Sequence, residues 1–268
     1  MTADHLIPRS LGGPDYALIR ASKKANSIIG SRVEGRLAKD PSIQLARIRN
    51  NARGASGKKP FSIFRNAIRA EDYPKIANGN TEAIDKFTVH NYGSFGIAVQ
   101  NQRSRAWLTR SECYQSAWLT TDFRLDYEAR AAFLAKIALA LPVYLLLLDI
   151  SETQPTKILH RMLFGNFSLR PAAKETRVRF SHPWLGERDE IDPHGEDKIS
   201  RFIPNKKYPS ALISEGRKKT VLGCRVLGEY IGTLTWQPKR PPTKEQAYRV
   251  DFMDVSPEIV FLQDCPLQ

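Results

Sequence analysis

The stretch Asp4-His5-Leu6-Ile7-Pro8-Arg9-Ser10-Leu11-Gly12-Gly13 opens the chain, and its continuation decides how it folds. The apolar pair Leu6-Ile7, followed by the breakers Pro8, Gly12 and Gly13, predicts a brief strand running into a turn or loop. After Gly13-Pro14-Asp15, the segment Tyr16-Ala17-Leu18-Ile19-Arg20 predicts a second strand or an extended return. From Lys23 to Ala38, the residues Ile28, Ile29, Val33 and Leu37 recur at helical spacing, which predicts a helix. Strand, loop, strand and helix within about forty residues make a compact unit. It holds too little apolar material to stand alone, so it must pack on residues further along the chain.

Hydrolysis of a phosphodiester needs an activated water and a charge sink for the phosphate and leaving oxygen. A histidine titrates near neutrality and can serve as the base. A hard divalent cation held by oxygen ligands can serve as the sink. Asp4 offers a carboxylate and Asn26 an amide oxygen, both suited to Mg²⁺. In a strand–loop–strand–helix unit, the start of the first strand and the start of the helix lie side by side, so Asp4, His5 and Asn26 are expected to converge.

These residues resemble the HNH endonuclease family, in particular its branch that opens with Asp-His or Glu-His-Ile-Ile-Pro-x-Ser-Leu-Gly-Gly. The resemblance covers roughly residues 2–40, about a seventh of the chain. It implies a ββα-metal module in which Asp4 and Asn26 bind a catalytic Mg²⁺ or Mn²⁺ and His5 is the general base. It also implies a further metal ligand or metal-water contact at Glu34, which sits near where many family members carry their last histidine. Members of this branch commonly bind a structural zinc through two Cys-x-x-Cys pairs, one of them immediately before the asparagine. Here that pair falls on Ser22 and Ala25, so no structural zinc is expected. Two accounts compete: a working nuclease buttressed by residues from 41 onward, or a degenerate remnant that serves as a nucleic-acid-binding or regulatory module.

Charge supports a polyanionic partner. The formal net charge is +13, and residues 1–70 hold 14 Lys/Arg against 4 Asp/Glu, whereas residues 71–268 hold 27 against 24. The basic quarter is therefore also the quarter with the motif. Arg9, Arg20, Lys23, Lys24, Arg32 and Arg36 surround the motif, and Lys58 and Lys59 lie in the polar, glycine-containing stretch 50–60. Such residues contact phosphates without reading sequence, and their binding weakens steeply with salt. DNA is preferred to RNA as the partner, and base readout has to come from the remainder of the chain.

The expected class is α+β: an N-terminal module over residues 1–49, a basic connector over 50–69, and a larger mixed domain over 70–268. Ile43 to Ile48 predicts a second helix. Further strands are expected at Phe87–Gln100, Arg105–Thr109, Thr176–Phe180, Thr220–Val226, Glu229–Trp236 and Tyr248–Met253. Helices are expected at Asp126–Leu141 and Thr156–Phe164, and Val143–Ile150 reads as either a buried strand or more helix. The apolar run Phe133 to Ile150 contains Lys136 and Pro142 and falls short of the roughly 20 residues a bilayer span needs, so no membrane contact is expected. Cys113, Cys224 and Cys265 are odd in number and widely spaced, which fits a reducing cytoplasm and offers no disulfide framework or zinc spacing. His182 and His194 bracket an acidic loop with no recognised ligand spacing, His90 reads as structural, and His160 as exposed or touching phosphate.

Overall fold

The structure, a computed structural model, describes residues 1–54, 56–72, 84–92, 97–109, 119–120, 125–146, 154–165, 178–182, 199–238, 242 and 245–262. It is a mixed α+β protein. Strands β1 (Thr2–His5) and β2 (Leu18–Ala21) pair antiparallel, with Asp4 opposite Ile19 and His5 opposite Leu18. A short 3-10 turn, Arg9–Leu11, leads into the return loop and ends at Gly12, whose φ of 81° suits a residue without a Cβ. Gly13 is needed for a different reason: a Cβ there would sit 1.7 Å from the Ile7 carbonyl oxygen.

Helix α1 (Lys23–Ile28) starts at Ser22, whose hydroxyl accepts from the Ala25 amide at 3.1 Å. It runs on through a π-helical segment, Ile29–Glu34, into α2 (Gly35–Leu37). The wide turn shifts the register of the helix face, so Ile29, Val33 and Leu37 point inward together while Glu34 is carried toward the interior beside them. Helix α3 (Pro41–Arg49) comes next, with Asp40 as its cap and proline at its first position.

A small antiparallel sheet is built in the order β5-β4-β3-β6: β3 (Ser62–Arg69), β4 (Phe87–Asn91), β5 (Ile97–Asn101) and β6 (Leu119–Thr120). The latter part of the stretch expected as a connector is therefore strand β3, bulged between Phe64 and Ala67 with Asn66 at φ 58°. The single strand expected over Phe87–Gln100 is two, β4 and β5, paired with each other. Of the strand expected at Arg105–Thr109 only one bridge exists, Trp107 to Gln100.

The long helix α4 (Tyr127–Tyr144) is buried over most of its circumference, which its alanine-rich, apolar composition permits. Pro142 lies inside it and cannot donate to the Ala138 carbonyl, so that oxygen accepts from the buried Gln154 side chain instead. The helix continues to Tyr144, past its expected end, and positions 147–150 of the alternative strand lie outside the described residues. Helix α5 (Thr156–Phe164) packs beside α4. No helix among the described residues is long and apolar enough to cross a membrane.

Six antiparallel strands complete the fold in the order β12-β11-β8-β9-β10-β7. They are β7 (Val178–Ser181), β8 (Ser210–Glu215), β9 (Thr220–Val226), β10 (Glu229–Trp236), β11 (Gln246–Phe252) and β12 (Pro257–Phe261). One face contributes Ile213, Leu222, Leu234, Trp236 and Phe252 to the main core, which also holds Phe133, Leu134 and Ile137 of α4 and Leu6, Ile7, Val33 and Leu37 of the N-terminal unit. That unit does lean on the rest of the chain, as its shortage of apolar residues requires. Ile199, Ile203 and Phe202 cover part of the sheet's other face, over Leu212, Val221, Tyr230 and Ala247.

Candidate functional site

Successive strand residues face opposite sides. In β1 this turns Asp4 inward, where it is 7% exposed, and His5 outward, where its side chain is 32% exposed. Inside, Asp4 meets Lys136 of α4, with Oδ2 3.1 Å from Nζ. The same ammonium donates to Glu34 Oε1 and to the His5 carbonyl oxygen. A charge that is 2% exposed must be answered by the protein itself, and oxygens from β1 and the π-helical segment answer this one. Lys136 thus ties the first strand to the helix that carries Asn26. Asp4 Oδ2 meets the ammonium without hydrogen-bond alignment, so this buried carboxylate oxygen has an ion-pair neighbour and no hydrogen bond. Burial pushes the Glu34 carboxyl above its ordinary range, and the attraction of Lys136 offsets only part of that.

On the outer side, His5 Nε2 lies 3.5 Å from Asp15 Oδ1, the oxygen that also accepts from Arg9 Nε. Arg9 holds the Asp15 carboxyl below its ordinary range, with a smaller contribution from His5, so a carboxylate faces the imidazole at neutral pH. A carboxylate in that place orients the ring. Asn26, in the first turns of the helix, donates from Nδ2 to the Ala3 carbonyl at 3.5 Å, the long end of hydrogen-bonding range. The strand and helix starts therefore lie against each other as expected. The side chains divide: Asp4 gathers with Glu34 and Lys136, His5 with Asp15 and Arg9. Among the described residues there is no group of three or more His, Cys, Asp or Glu side chains fit to hold a metal ion.

A cleft of about 640 Å³ opens on the His5 side, lined by Arg9, Gly13, Asp15, Tyr16, Tyr208 and Asp254 among others. Tyr16 donates to the Met253 carbonyl at 2.8 Å and Tyr208 to Asp254 Oδ2 at 2.6 Å, so both hydroxyls are held at the wall. Of the basic residues singled out in the sequence, Arg20, Lys23, Lys24, Arg32, Lys58 and Lys59 are exposed. Arg9 is engaged by Asp15. Arg36 is engaged by Asp126 through two hydrogen bonds of 3.0 and 2.8 Å, with Glu128 3.4 Å away.

Two residues of this site were not singled out by sequence reasoning, Asp15 and Lys136. Lys136 had a signal: a lysine in the middle of an alanine- and leucine-rich helical run has to find an acid when that helix is buried. Arg130, one and a half turns earlier, carries the same signal. Its guanidinium forms a fork with Asp40, at 3.0 and 2.8 Å, and donates to Ser42 Oγ and the Tyr230 carbonyl. His182 packs on this second node, its Nε2 3.3 Å from the Tyr230 carbonyl, while His194 and the acidic loop lie outside the described residues. His160 is exposed, beside Phe164.

Compared with protein-family models, curated proteins and solved structures, the chain matches none. The likeness to HNH nucleases rests on the residues of the N-terminal stretch alone.

Proposed function

We propose that the chain is a metal-dependent endonuclease that hydrolyses phosphodiester bonds of DNA through an N-terminal ββα-metal unit of the HNH type. The observation that carries this reading is the packing of the Asp4-His5 strand against the helix bearing Asn26, with the Asn26 side chain on the Ala3 carbonyl. The donor types suit a hard cation: Asp4 Oδ2 is a buried carboxylate oxygen, now facing the Lys136 ammonium at 3.1 Å, and Asn26 brings an amide oxygen. One Mg²⁺ or Mn²⁺ held by these two would supply positive charge to the phosphate and the leaving oxygen.

The remaining chemistry belongs to side chains. His5 takes a proton from the attacking water, and the Asp15 carboxylate 3.5 Å away steadies the imidazolium that results. The hydroxide forms a new P–O bond, one P–O bond to the sugar breaks, and the departing oxygen takes a proton from solvent. Glu34, expected as a further ligand, is engaged by Lys136, and in this reading it acts by holding that ammonium against β1. Arg20, Lys23, Lys24 and Arg32 carry the backbone of the substrate across the exposed face.

The test is nicking of supercoiled plasmid with Mg²⁺, with Mn²⁺ and with EDTA, using the wild type and His5→Ala. Cleavage is expected only with metal, and at least about a hundredfold slower in the variant. Plasmid that is bound yet stays intact under every metal overturns the reading. One observation favours a second reading, a nucleic-acid-binding module without cleavage: Lys136 already sits on Asp4 with a positive charge, in competition with any metal ion. The intact-plasmid outcome selects it.

A further inference from the structure

We propose that the outer face of the small sheet is a stacking platform for single-stranded DNA. The inner face of that sheet is set by Ala67, Phe87 and Val99, which form its core. Register then places Ile63 of β3, His90 of β4 and Ala98 of β5 side by side on the opposite face. Tyr92 and Phe61 continue that face by two-residue alternation, and Trp107 joins it through its bridge to Gln100.

A solvated sheet face is ordinarily polar. This one exposes Phe61 by 56%, Trp107 by 53%, Tyr92 by 44% and Ile63 by 42%. The rings are not scattered. His90 stacks on Tyr92 at 6.2 Å with their planes 14° apart, and lies 5.1 Å from Trp107. Isolated exposed apolar residues need no explanation, but a contiguous group of rings on one sheet face does.

The charge around the rings identifies the occupant. Segments 58–65 and 97–109 contain Lys58, Lys59, Arg65, Arg103 and Arg105 and no acidic residue. A protein partner would call for an apolar patch with its charges depleted. Rings rimmed by cations suit a chain of bases on a phosphate backbone, each base offering a face to stack and each phosphate a negative charge. A duplex hides its base faces, so the strand has to be single. The choice of DNA over RNA rests on the proposed nuclease reading, whereas stacking on these rings is open to the bases of either. The platform also provides the contact to bases that the N-terminal basic residues lack.

The experiment is fluorescence anisotropy of labelled fifteen-nucleotide oligothymidylate with the full chain in EDTA, where cleavage plays no part. Tyr92→Ala and Trp107→Ala are each expected to weaken binding by about tenfold, with an unchanged melting temperature. As a reading that needs no alanine variant, oligothymidylate should quench tryptophan emission in the wild type and quench it less in Trp107→Phe. Equal affinity for wild type and the Tyr92→Ala/Trp107→Ala double variant overturns the platform, as does tighter binding to duplex than to single strand. Tighter binding to oligouridylate than to oligothymidylate overturns the assignment to DNA. Failure of plasmid nicking alone leaves these binding readouts intact, so the two proposals fall separately.

Discussion

Replacing Lys136 by methionine keeps most of the side-chain volume and removes the ammonium that faces both Asp4 and Glu34. Those carboxylates have side chains only 8% and 12% exposed, so neither gains much help from water. Breaking a buried pair by deleting one partner costs about 3–5 kcal/mol. In a chain of this length each kcal/mol moves the melting temperature by roughly 2 °C, so Lys136→Met is expected to melt about 6–10 °C lower at pH 7. The deficit should narrow at pH 5. Burial already raises the Glu34 pKa, and losing its ammonium raises it further, so the carboxyl becomes neutral more readily. The double variant Glu34→Gln/Lys136→Met should recover part of the loss, because removing both members of a buried pair is far milder than removing one. Differential scanning fluorimetry across pH, with and without millimolar Mn²⁺, reads all of this. Mn²⁺ should raise the melting temperature of Lys136→Met more than that of the wild type, since the ion then meets Asp4 without a resident ammonium. A variant melting within about 2 °C of wild type at pH 7 would show that Lys136 does not brace the unit.

Other consequences concern the neighbouring nodes. Burial alone would raise the Asp40 pKa, but the Arg130 guanidinium, the Asp126 amide and Ser42 outweigh it and hold the carboxyl below its ordinary range. A depressed pKa in the fold gives stability that is present above the unfolded value near 4 and is lost as pH falls through the folded value; Asp40→Asn should therefore flatten acid unfolding below about pH 4 while costing about 3–5 kcal/mol at pH 7 in urea titration. Glu34 has the opposite sign: burial raises its folded pKa, so its stability contribution is fully present below the unfolded value and is lost as pH rises through the folded one. Glu34→Gln takes a partner from the buried Lys136 ammonium and should lower stability in urea titration at pH 7, by an amount that shrinks as pH rises. Gly13→Ala forces the backbone away from the Ile7 carbonyl, and a drop in melting temperature together with slower plasmid nicking is expected, since His5 and Asp15 flank that loop.

The strand–loop–strand–helix order was legible because breakers and periodicity agree over residues 4–38: β2 overlaps the expected Tyr16–Arg20 and α1 starts at Lys23 as expected, whereas β1 covers Thr2–His5 and the apolar pair Leu6-Ile7 that signalled the strand lies just past its end. Pattern reading stopped where structure depends on partners distant in sequence. Strand β3 has its alternation broken by the bulge at Asn66, so residues 62–69 looked like the end of a basic connector. Strand β8, Ser210–Glu215, is buried on both faces and lacks the polar alternation that marks a half-exposed strand. Within the site, the sequence brought Asp4, His5 and Asn26 to the same strand and helix ends, but not the direction of the side chains. Strand alternation separates Asp4 from His5, and that emerges only once the β1–β2 register is known.

The two buried cations of α4 explain why a unit of about forty residues can hold its shape here. Lys136 joins β1 to the helical segment at Glu34, and Arg130 joins the cap of α3 at Asp40 to the Tyr230 carbonyl on β10. Both braces come from more than 85 residues along the chain, so neither is present in residues 1–49 taken alone. The apolar contacts have the same origin, since Leu6, Ile7, Val33 and Leu37 are buried in a core shared with α4 and the large sheet. A fragment of residues 1–49 would expose these side chains and leave Asp4 and Asp40 without their counter-ions. It should therefore show a random-coil circular dichroism spectrum and no metal-dependent cleavage at concentrations where the full chain nicks plasmid. A folded fragment with a helical signal would mean that local capping by Ser22 and Asp40 suffices, and that the braces from α4 only refine a structure the N-terminal sequence specifies unaided.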